Sequence, residues 1–217
     1  MGEPVVEEFN RASQDVAGHW PWILAAVAVS VTVSAGVWKE FLFVGVPLTI
    51  AIMIILYGRI AGGLVPDGTA GTWKILQDNW LNYLVAVVII GLPERIMLLL
   101  VASRFHSLVG YVVLATAFGA GFGILTIYAL PIVFIRKSRL AAILAGIVFL
   151  FRNPAASSWI AAVVVVTQIL AVAGVTVFRD ATAPWSFALV LLTGVVVTFL
   201  SLVTFAGASR VLLGDRP

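Results

Sequence analysis

Residues 136–178 decide how this chain folds, and they read RKSR (136–139), LAAILAGIVFLF (140–151), RNPAASS (152–158) and WIAAVVVVTQILAVAGVTVF (159–178). The last run has the roughly 20 apolar residues that a helix needs to span a bilayer. The run at 140–151 is too short to span, and basic residues flank it on both sides. Such a segment is typical of a helix that lies at the membrane interface or re-enters the membrane. The stretch therefore predicts a short helix, a break at Asn153-Pro154, and a spanning helix.

Composition places the whole chain in the membrane. Of the 217 residues, 62% are hydrophobic and only 11% are charged, and the mean hydropathy is +1.12. A soluble domain carries about 25% charged residues. The net charge of +3 is small and the basic residues lie near helix ends, which favours anionic lipid over nucleic acid as a partner. The chain has no cysteine, which excludes disulfides and thiolate metal sites. Its acidic first residues are not typical of a cleavable signal peptide.

Hydrophobic periodicity predicts an all-α integral membrane protein with six transmembrane helices and three short interfacial helices. The predicted spans cover residues 20–38, 41–60, 81–102, 108–135, 159–178 and 185–208, and Pro93-Glu94-Arg95 interrupts the third. The short helices, near 5–17, 72–80 and 140–152, precede the odd-numbered spans. The chain is thus a single polytopic domain, 1–217, built from three short-long-long modules at 3–60, 69–135 and 136–213. The alternative is that the modules are no true repeat, because any interfacial helix before a span gives this pattern.

The distribution of lysine and arginine predicts the orientation, since short cytoplasmic loops carry the excess of these residues. With six spans, one side of the membrane holds nine of them and the other side holds four. The nine are Arg11, Arg59, Lys74, Arg136, Lys137, Arg139, Arg152, Arg210 and Arg216; the four are Lys39, Arg95, Arg104 and Arg179. We therefore expect a protein of the cell (plasma) membrane with both termini and all three short helices on the cytoplasmic side.

No pattern in the sequence predicts an enzyme or a cofactor. His19 and His106 fall on opposite membrane faces in this topology, so a shared zinc site is not expected. No serine lies in a nucleophile motif, and the glycine-rich loop at 61–71 has no lysine to hold a phosphate. No metal is expected either. The lysines all lie near the ends of spans, which excludes a retinal Schiff base.

Glu94-Arg95 is the one charged pair predicted at membrane depth, where charges are costly and often functional. Pro93 before them frees a backbone carbonyl, and a kink there can turn both side chains toward a cavity. The pair is therefore the candidate transport site. The alternative, which the sequence favours, is that it caps the span or reaches the outer interface.

Other polar and small residues inside the spans point to packing. Gly119 and Gly123 form a GxxxG spacing, which predicts close helix contact within or between chains. Hydroxyl and amide side chains are predicted to bond between helices or to carbonyls of their own helix: Thr116, Thr126, Gln168, Thr193, Thr198, Ser201 and Thr204.

Basic residues around the short helix at 140–151 predict lipid head-group binding. These residues are Arg136, Lys137, Arg139 and Arg152. Each basic residue near an anionic surface contributes about 1 kcal/mol of attraction. Together with the small residues of the spans, this favours membrane lipids as ligands and assembly as a homo-oligomer or as a subunit of a membrane complex.

The stretch IYALPIVFIRKSRLAAILAGIVFLFRNPAASSWIAAVV (127–165) resembles the central segment of a broad prokaryotic group of six-span membrane domains of unknown function. That group includes the membrane domain fused to some glycerophosphoryl diester phosphodiesterases. The positions that match its pattern are Leu130-Pro131, the turn 136–139, the alanine-rich 141–145, and Arg152-Asn153. The resemblance implies a six-span fold and no catalytic residue. This chain has a basic turn where that group often has an acidic residue, and Gly146 where a serine is common.

Two function classes follow from these observations. The first is a non-enzymatic multi-pass protein that acts as a scaffold or accessory subunit of a membrane assembly. The second is a small transporter or channel that uses a broken third helix with Glu94-Arg95. An intramembrane enzyme is a more distant third.

Overall fold

The computed structural model describes residues 2–34, 41–65, 71–104, 108–137, 141–179 and 184–214. Within these ranges the regular elements are all helical. They are α1 (Gly2–Ala17), α2 (Trp20–Ser34), α3 (Phe41–Leu64), α4 (Thr72–Arg104), α5 (Leu108–Leu125), α6 (Ala129–Arg136), α7 (Ala141–Arg152), α8 (Pro154–Arg179) and α9 (Pro184–Gly214).

Five stretches of these helices are long and apolar enough to cross a membrane: Val44–Leu64, Thr72–Pro93, Val109–Arg136, Pro154–Gly174 and Ala188–Gly214. The chain is therefore a multi-pass α-helical membrane protein, as predicted. The predicted first span falls on α2, whose apolar part, Trp20–Thr32, is shorter, and the rest of that span lies partly outside the described residues. The described residues thus contain five long candidate spans, and the predicted count of six is not confirmed.

The second short helix and the break in the third span were predicted wrongly. α4 runs from Thr72 to Arg104 as one helix of 33 residues, with Pro93 inside it. The junction around Trp80 and Leu81 contains no glycine or proline, so the predicted short helix at 72–80 continues directly into the span. Pro93 removes a single backbone hydrogen bond, a loss that membrane helices tolerate.

The predicted fourth span is instead broken, at residues 126–128, into α5 and α6. Pro131 explains the position of the break, because a proline cannot donate to the carbonyl four residues earlier and its ring clashes with it. That carbonyl belongs to Ile127. The turn closes with hydrogen bonds from the Thr126 N–H to Phe122 O (3.0 Å) and from the Ala129 N–H to Thr126 O (2.9 Å).

The predicted break between the third short helix and its span is smaller than RNPAASS suggests. Only Asn153 is non-helical, and α8 begins at Pro154. Proline suits a first helical position, where its missing N–H is not needed. The Asn153 N–H donates to Phe149 O (3.0 Å), and Asn153 O accepts from the Ser157 N–H (3.1 Å). One residue thus ends α7 and starts α8.

The core lies where α3, α4, α6 and α9 meet. Tyr57, Phe134 and Phe205 pack with ring centroids 4.6 to 5.8 Å apart, and Tyr83 of α4 joins them. All four side chains are buried. Aromatic pairs at these separations contribute about 0.5–1.5 kcal/mol beyond the area they bury. The cluster fixes α6 against its neighbours.

Charged residues join several helices at one end of the bundle. Asp15 of α1 accepts two hydrogen bonds from Arg210 of α9, at 2.7 and 2.9 Å. Arg59 of α3 donates to the Thr72 hydroxyl at the start of α4 (2.9 Å). Lys137, after α6, lies 3.8 Å from the Asp78 carboxylate of α4. Helices α1, α3, α4, α6 and α9 therefore share this end, which we call the charged end.

Candidate functional site

The break between α5 and α6 lies beside a cavity of about 190 Å³. Residues of four candidate spans line it: Tyr57, Gly123, Thr126, Ile127, Leu130, Pro131, Val164, Thr167, Gln168, Ser201, Thr204 and Phe205. Thr204 is six residues before Arg210 of the charged end, a distance of about 9 Å along the helix. Because residues of four candidate spans line it, the cavity lies inside the spanning region and carries several polar side chains. Irregular backbone at that depth occurs only where protein buries it or where it lines a cavity.

Four hydroxyl groups in the cavity wall donate to carbonyls four residues earlier in the chain, and the wall also carries the Tyr57 hydroxyl. Thr126 bonds to Phe122 O at 2.8 Å and Thr167 to Val163 O at 2.7 Å. Ser201 bonds to Val197 O at 2.8 Å and Thr204 to Leu200 O at 2.9 Å. For Thr126, Ser201 and Thr204 the structure shows the second of the two predicted alternatives, bonding to a nearby carbonyl of the same chain segment rather than between helices. Their shared position around one cavity was not predicted.

Gln168 carries the remaining polar side chain of α8 in the wall, and Gly119 makes room for it. A Cβ at Gly119 would lie 3.0 Å from the Gln168 amide oxygen. Gln168 has no hydrogen-bond partner among the described residues. A Cβ at Gly123 would lie 2.7 Å from Val164. The GxxxG glycines therefore face α8 of the same chain, and their contact is intramolecular.

The broken backbone is held by a second group of residues behind the cavity. Tyr128 is fully buried, its hydroxyl lies 2.7 Å from the Ser157 hydroxyl of α8, and its ring meets Phe149 of α7 at 4.7 Å. Gly146 lets α7 approach closely, because a Cβ there would be 3.2 Å from the Ala129 nitrogen. α7 and the start of α8 together fix the turn at 126–128.

Glu94 and Arg95, the candidate transport pair, lie on the unbroken α4, nearly three turns before its end at Arg104. Their side chains fall outside the described part of the structure. The described wall of the polar cavity contains no residue of α4.

The predicted head-group residues occupy different helix ends. Arg136 and Lys137 are exposed where α6 ends, and Lys137 adopts a left-handed conformation (φ 49°) that stops the helix. Arg152 is exposed at the end of α7, which is about 18 Å long. Arg139 lies outside the described residues. Of the three that are described, Lys137 has the Asp78 carboxylate as a neighbour.

A second cavity and the histidine and acidic residues were also considered as sites. A cavity of about 720 Å³ lies at the charged end, but its wall includes Leu64 and Gly214, which adjoin ranges that the structure does not describe. The described residues hold no group of three or more histidine, cysteine or acidic side chains arranged to bind a metal. His106 lies outside those residues, so its predicted separation from His19 is not tested.

Sequence reasoning missed the cavity because it treated each hydroxyl residue alone. The signal that points to it is Pro131, which breaks the fourth span, combined with Ser201 and Thr204 at a spacing of three. That spacing places both on one face of α9. Thr167 was not singled out at all.

No protein-family model, curated protein or solved structure matches this chain.

Proposed function

We propose that this protein is a non-enzymatic multi-pass membrane protein that acts as a scaffold or accessory subunit of a membrane assembly. In this proposal α7 lies at the cytoplasmic interface of the cell membrane and contacts anionic lipid, and the chain assembles with itself or with a larger complex. It also shares its origin with the prokaryotic six-span domain group that its central segment resembles. That group's phosphodiesterase activity belongs to a separate domain and is not part of the proposal.

The observation that supports this function best is the apolar face that α7 turns away from the bundle. Leu144, Val148 and Phe151 follow one another at spacings of four and three and are 71%, 50% and 71% exposed. Ala142, Gly146 and Phe149 on the other side are buried. At 12 residues α7 is too short to span a bilayer. An exposed apolar face on such a helix favours insertion into the interface.

The charges around α7 favour anionic lipid as the molecule that covers this face. Arg136, Lys137 and Arg152 are exposed at the ends of α6 and α7. Trp73 and Trp80 of α4 are also exposed, at 69% and 49%, and lie seven residues apart on one face. Tryptophan is typical of the membrane–water interface. In this proposal, insertion of these apolar groups and attraction of negative head groups by the basic residues act together at the interface.

The lipid contact is tested by replacing Arg136 and Arg152 with glutamine. The full chain is reconstituted with mixed phosphatidylglycerol and phosphatidylcholine, extracted gently, and analysed by native mass spectrometry. We expect each substitution to lower retention of phosphatidylglycerol about fivefold, since a basic residue at the surface contributes about 1 kcal/mol. Arg11→Gln is the matched control, because Arg11 pairs with Glu7 and Glu8 of its own helix.

Equal retention of both lipids by the wild-type protein would remove the lipid part of the proposal. The same spectra report the oligomeric state. A lone monomer under all extraction conditions would contradict the assembly part. The GxxxG glycines are unsuitable for this test because they pack against α8 within the chain.

A small transporter or channel is the second candidate function, and the polar cavity at the α5–α6 break is the observation that favours it. Transporter binding sites are typically formed by discontinuous helices inside the membrane. The site in this proposal is the cavity rather than a broken third helix, and Glu94-Arg95 would act as a separate proton relay. Glu94→Gln should then leave insertion intact and abolish proton-coupled flux in vesicles. Unchanged flux would exclude the relay.

A further inference from the structure

We propose that the cavity at the α5–α6 break binds a small neutral solute that donates hydrogen bonds, such as a short polyol or a primary amide. This inference names a solute class for the transporter or channel function proposed above. Only movement of the solute across the membrane depends on that function. Binding itself follows from the hydrogen-bond inventory, the charge and the size of the cavity wall.

Four hydroxyl side chains of the wall offer a ligand only acceptors, while Tyr57 and Gln168 also carry donors. A hydroxyl group has one proton to donate and two lone pairs to accept with. Thr126, Thr167, Ser201 and Thr204 each donate that proton to a carbonyl of their own helix. Their oxygens can therefore meet a ligand in the cavity only as acceptors.

The broken backbone adds two further acceptors. In a continuous helix the Gly123 carbonyl would accept from Ile127, but the Ile127 N–H donates to Ile124 O instead, at 3.3 Å. The Ile127 carbonyl would accept from residue 131, which is a proline and has no N–H. Both Gly123 and Ile127 line the cavity. A solute with O–H or N–H groups replaces the donors that these carbonyls lack.

Gln168 supplies the second, independent reason to expect a ligand. Its amide lies in a membrane span, lines the cavity, and has no partner among the described residues. The side chain is half-buried. A polar molecule in the cavity can pair with the amide, which can both donate to it and accept from it.

Charge and size narrow the class of solute. The described wall contains no charged side chain, so an ion would lack a counter-charge inside the membrane, where charges are costly. The volume of about 190 Å³ corresponds to roughly six water molecules, at about 30 Å³ each. Leu130, Val164 and Phe205 supply apolar wall for the carbon atoms. A neutral solute with three to six heavy atoms and polar donors fits these limits best.

The test uses the purified full chain in detergent and ligand-observed saturation-transfer NMR. The probes are acetamide and glycerol, with acetate as the charged comparison that has the shape of acetamide and no donor. We expect saturable binding of acetamide or glycerol and none of acetate at equal concentration. Binding of acetate with the same affinity overturns the inference, and so does failure of both neutral probes to bind.

Variants locate the binding in the cavity. Thr204→Val keeps the side-chain volume and removes one acceptor, and Gln168→Leu removes the amide. We expect each to weaken probe binding about fivefold, which corresponds to one lost hydrogen bond. Thr32→Val and Thr49→Val are matched controls, because those hydroxyls make the same bond to their own helices (2.7 and 2.9 Å) away from the cavity. If Gln168→Leu does not fold, Ser201→Ala takes its place.

Two outcomes separate this inference from the transport function. Saturable binding without flux in vesicles overturns transport and supports the inference. Binding or flux that Thr204→Val and Ser201→Ala leave at the wild-type level overturns the inference, because the solute would then sit elsewhere.

Discussion

His19 lies at the junction of α1 and α2, where its carbonyl accepts hydrogen bonds from the N–H groups of Trp22 and Ile23 (3.0 and 3.1 Å). Partial burial, and then the positive charge of Arg59, lower the pKa of His19 from its ordinary value of 6.5. Arg59 cannot move away easily, because its guanidinium lies 5.3 Å from the Trp22 ring centroid and bonds to Thr72. One residue thus makes the packing of three helix ends sensitive to protons.

This arrangement predicts that the folded protein loses stability as the pH falls through the pKa of His19. The folded state binds fewer protons than the unfolded state between its lowered pKa and 6.5, so stability is fully present above 6.5 and declines below it. Melting temperatures measured in detergent between about pH 5 and pH 8 should show this decline. In His19→Gln the decline in that window should shrink. An identical pH profile in the variant would show that other groups cause it.

At the scale of the helices, glycines decide how closely two elements approach. Gly146 of α7 lies against the first residues of α6, where a Cβ would be 3.2 Å from the Ala129 nitrogen and 3.3 Å from the Tyr128 carbonyl carbon. Both atoms belong to the backbone of the broken turn and cannot rotate away as a side chain would. The α6–α7 contact therefore depends on this glycine, and so does the position of the turn beside the cavity.

Gly146→Ala should destabilise the protein by about 1–3 kcal/mol, because overpacking displaces backbone. Gly63→Ala is the matched control within a helix, since a Cβ at Gly63 meets nothing within 4 Å. That change should be neutral or stabilising by up to about 1 kcal/mol, as alanine favours helix more than glycine does. Chemical denaturation of both variants in the same detergent gives the comparison. Equal effects of the two changes would mean that α7 does not press on the turn.

For the whole molecule, the charged end gives a physical reason to expect an even number of membrane crossings between the end of α3 and the end of α6. Arg59–Thr72 and Asp78–Lys137 bring the connection after α3 and the end of α6 to the same end of the bundle. The predicted positive side contains Arg59, Lys74, Arg136 and Lys137, which agrees with this grouping. The side of the membrane on which that end lies stays a prediction.

Reporter fusions test the topology. Fusions after Gly68, Lys137 and Asp215 should report the cytoplasm, and fusions after Lys39, Phe105 and Asp180 the opposite side. An added reporter at the N-terminus is decisive for α2, the helix that is shorter than a full span in the described residues. If the N-terminus and the fusion after Lys39 report the same side, α2 does not cross and the chain has five crossings or fewer. If Gly68 and Lys137 report opposite sides, the six-span topology is wrong.

The helices themselves were largely predictable, because apolar runs of the length of a bilayer have few other structures available. The helix breaks were predicted less well, because the packing of neighbouring helices decides whether a proline interrupts a helix. Pro93 lies inside a continuous helix, whereas Pro131 lies in the first turn of α6, just after a break. Tyr128, Ser157 and Gly146 hold that break in place. The cavity could not be predicted, because Thr167 and Ser201 are 34 residues apart and meet only when α8 packs on α9. The three-module repeat stays a prediction.

The pair between Asp15 and Arg210 joins residues 195 positions apart in the chain. During synthesis, Asp15 leaves the ribosome long before its partner exists, so α1 cannot occupy its final place until the last helix has been inserted. Until then the Asp15 carboxylate has no guanidinium partner from α9. This pair therefore forms only in a chain that has been made to its last helix, and a chain that ends before Arg210 lacks it.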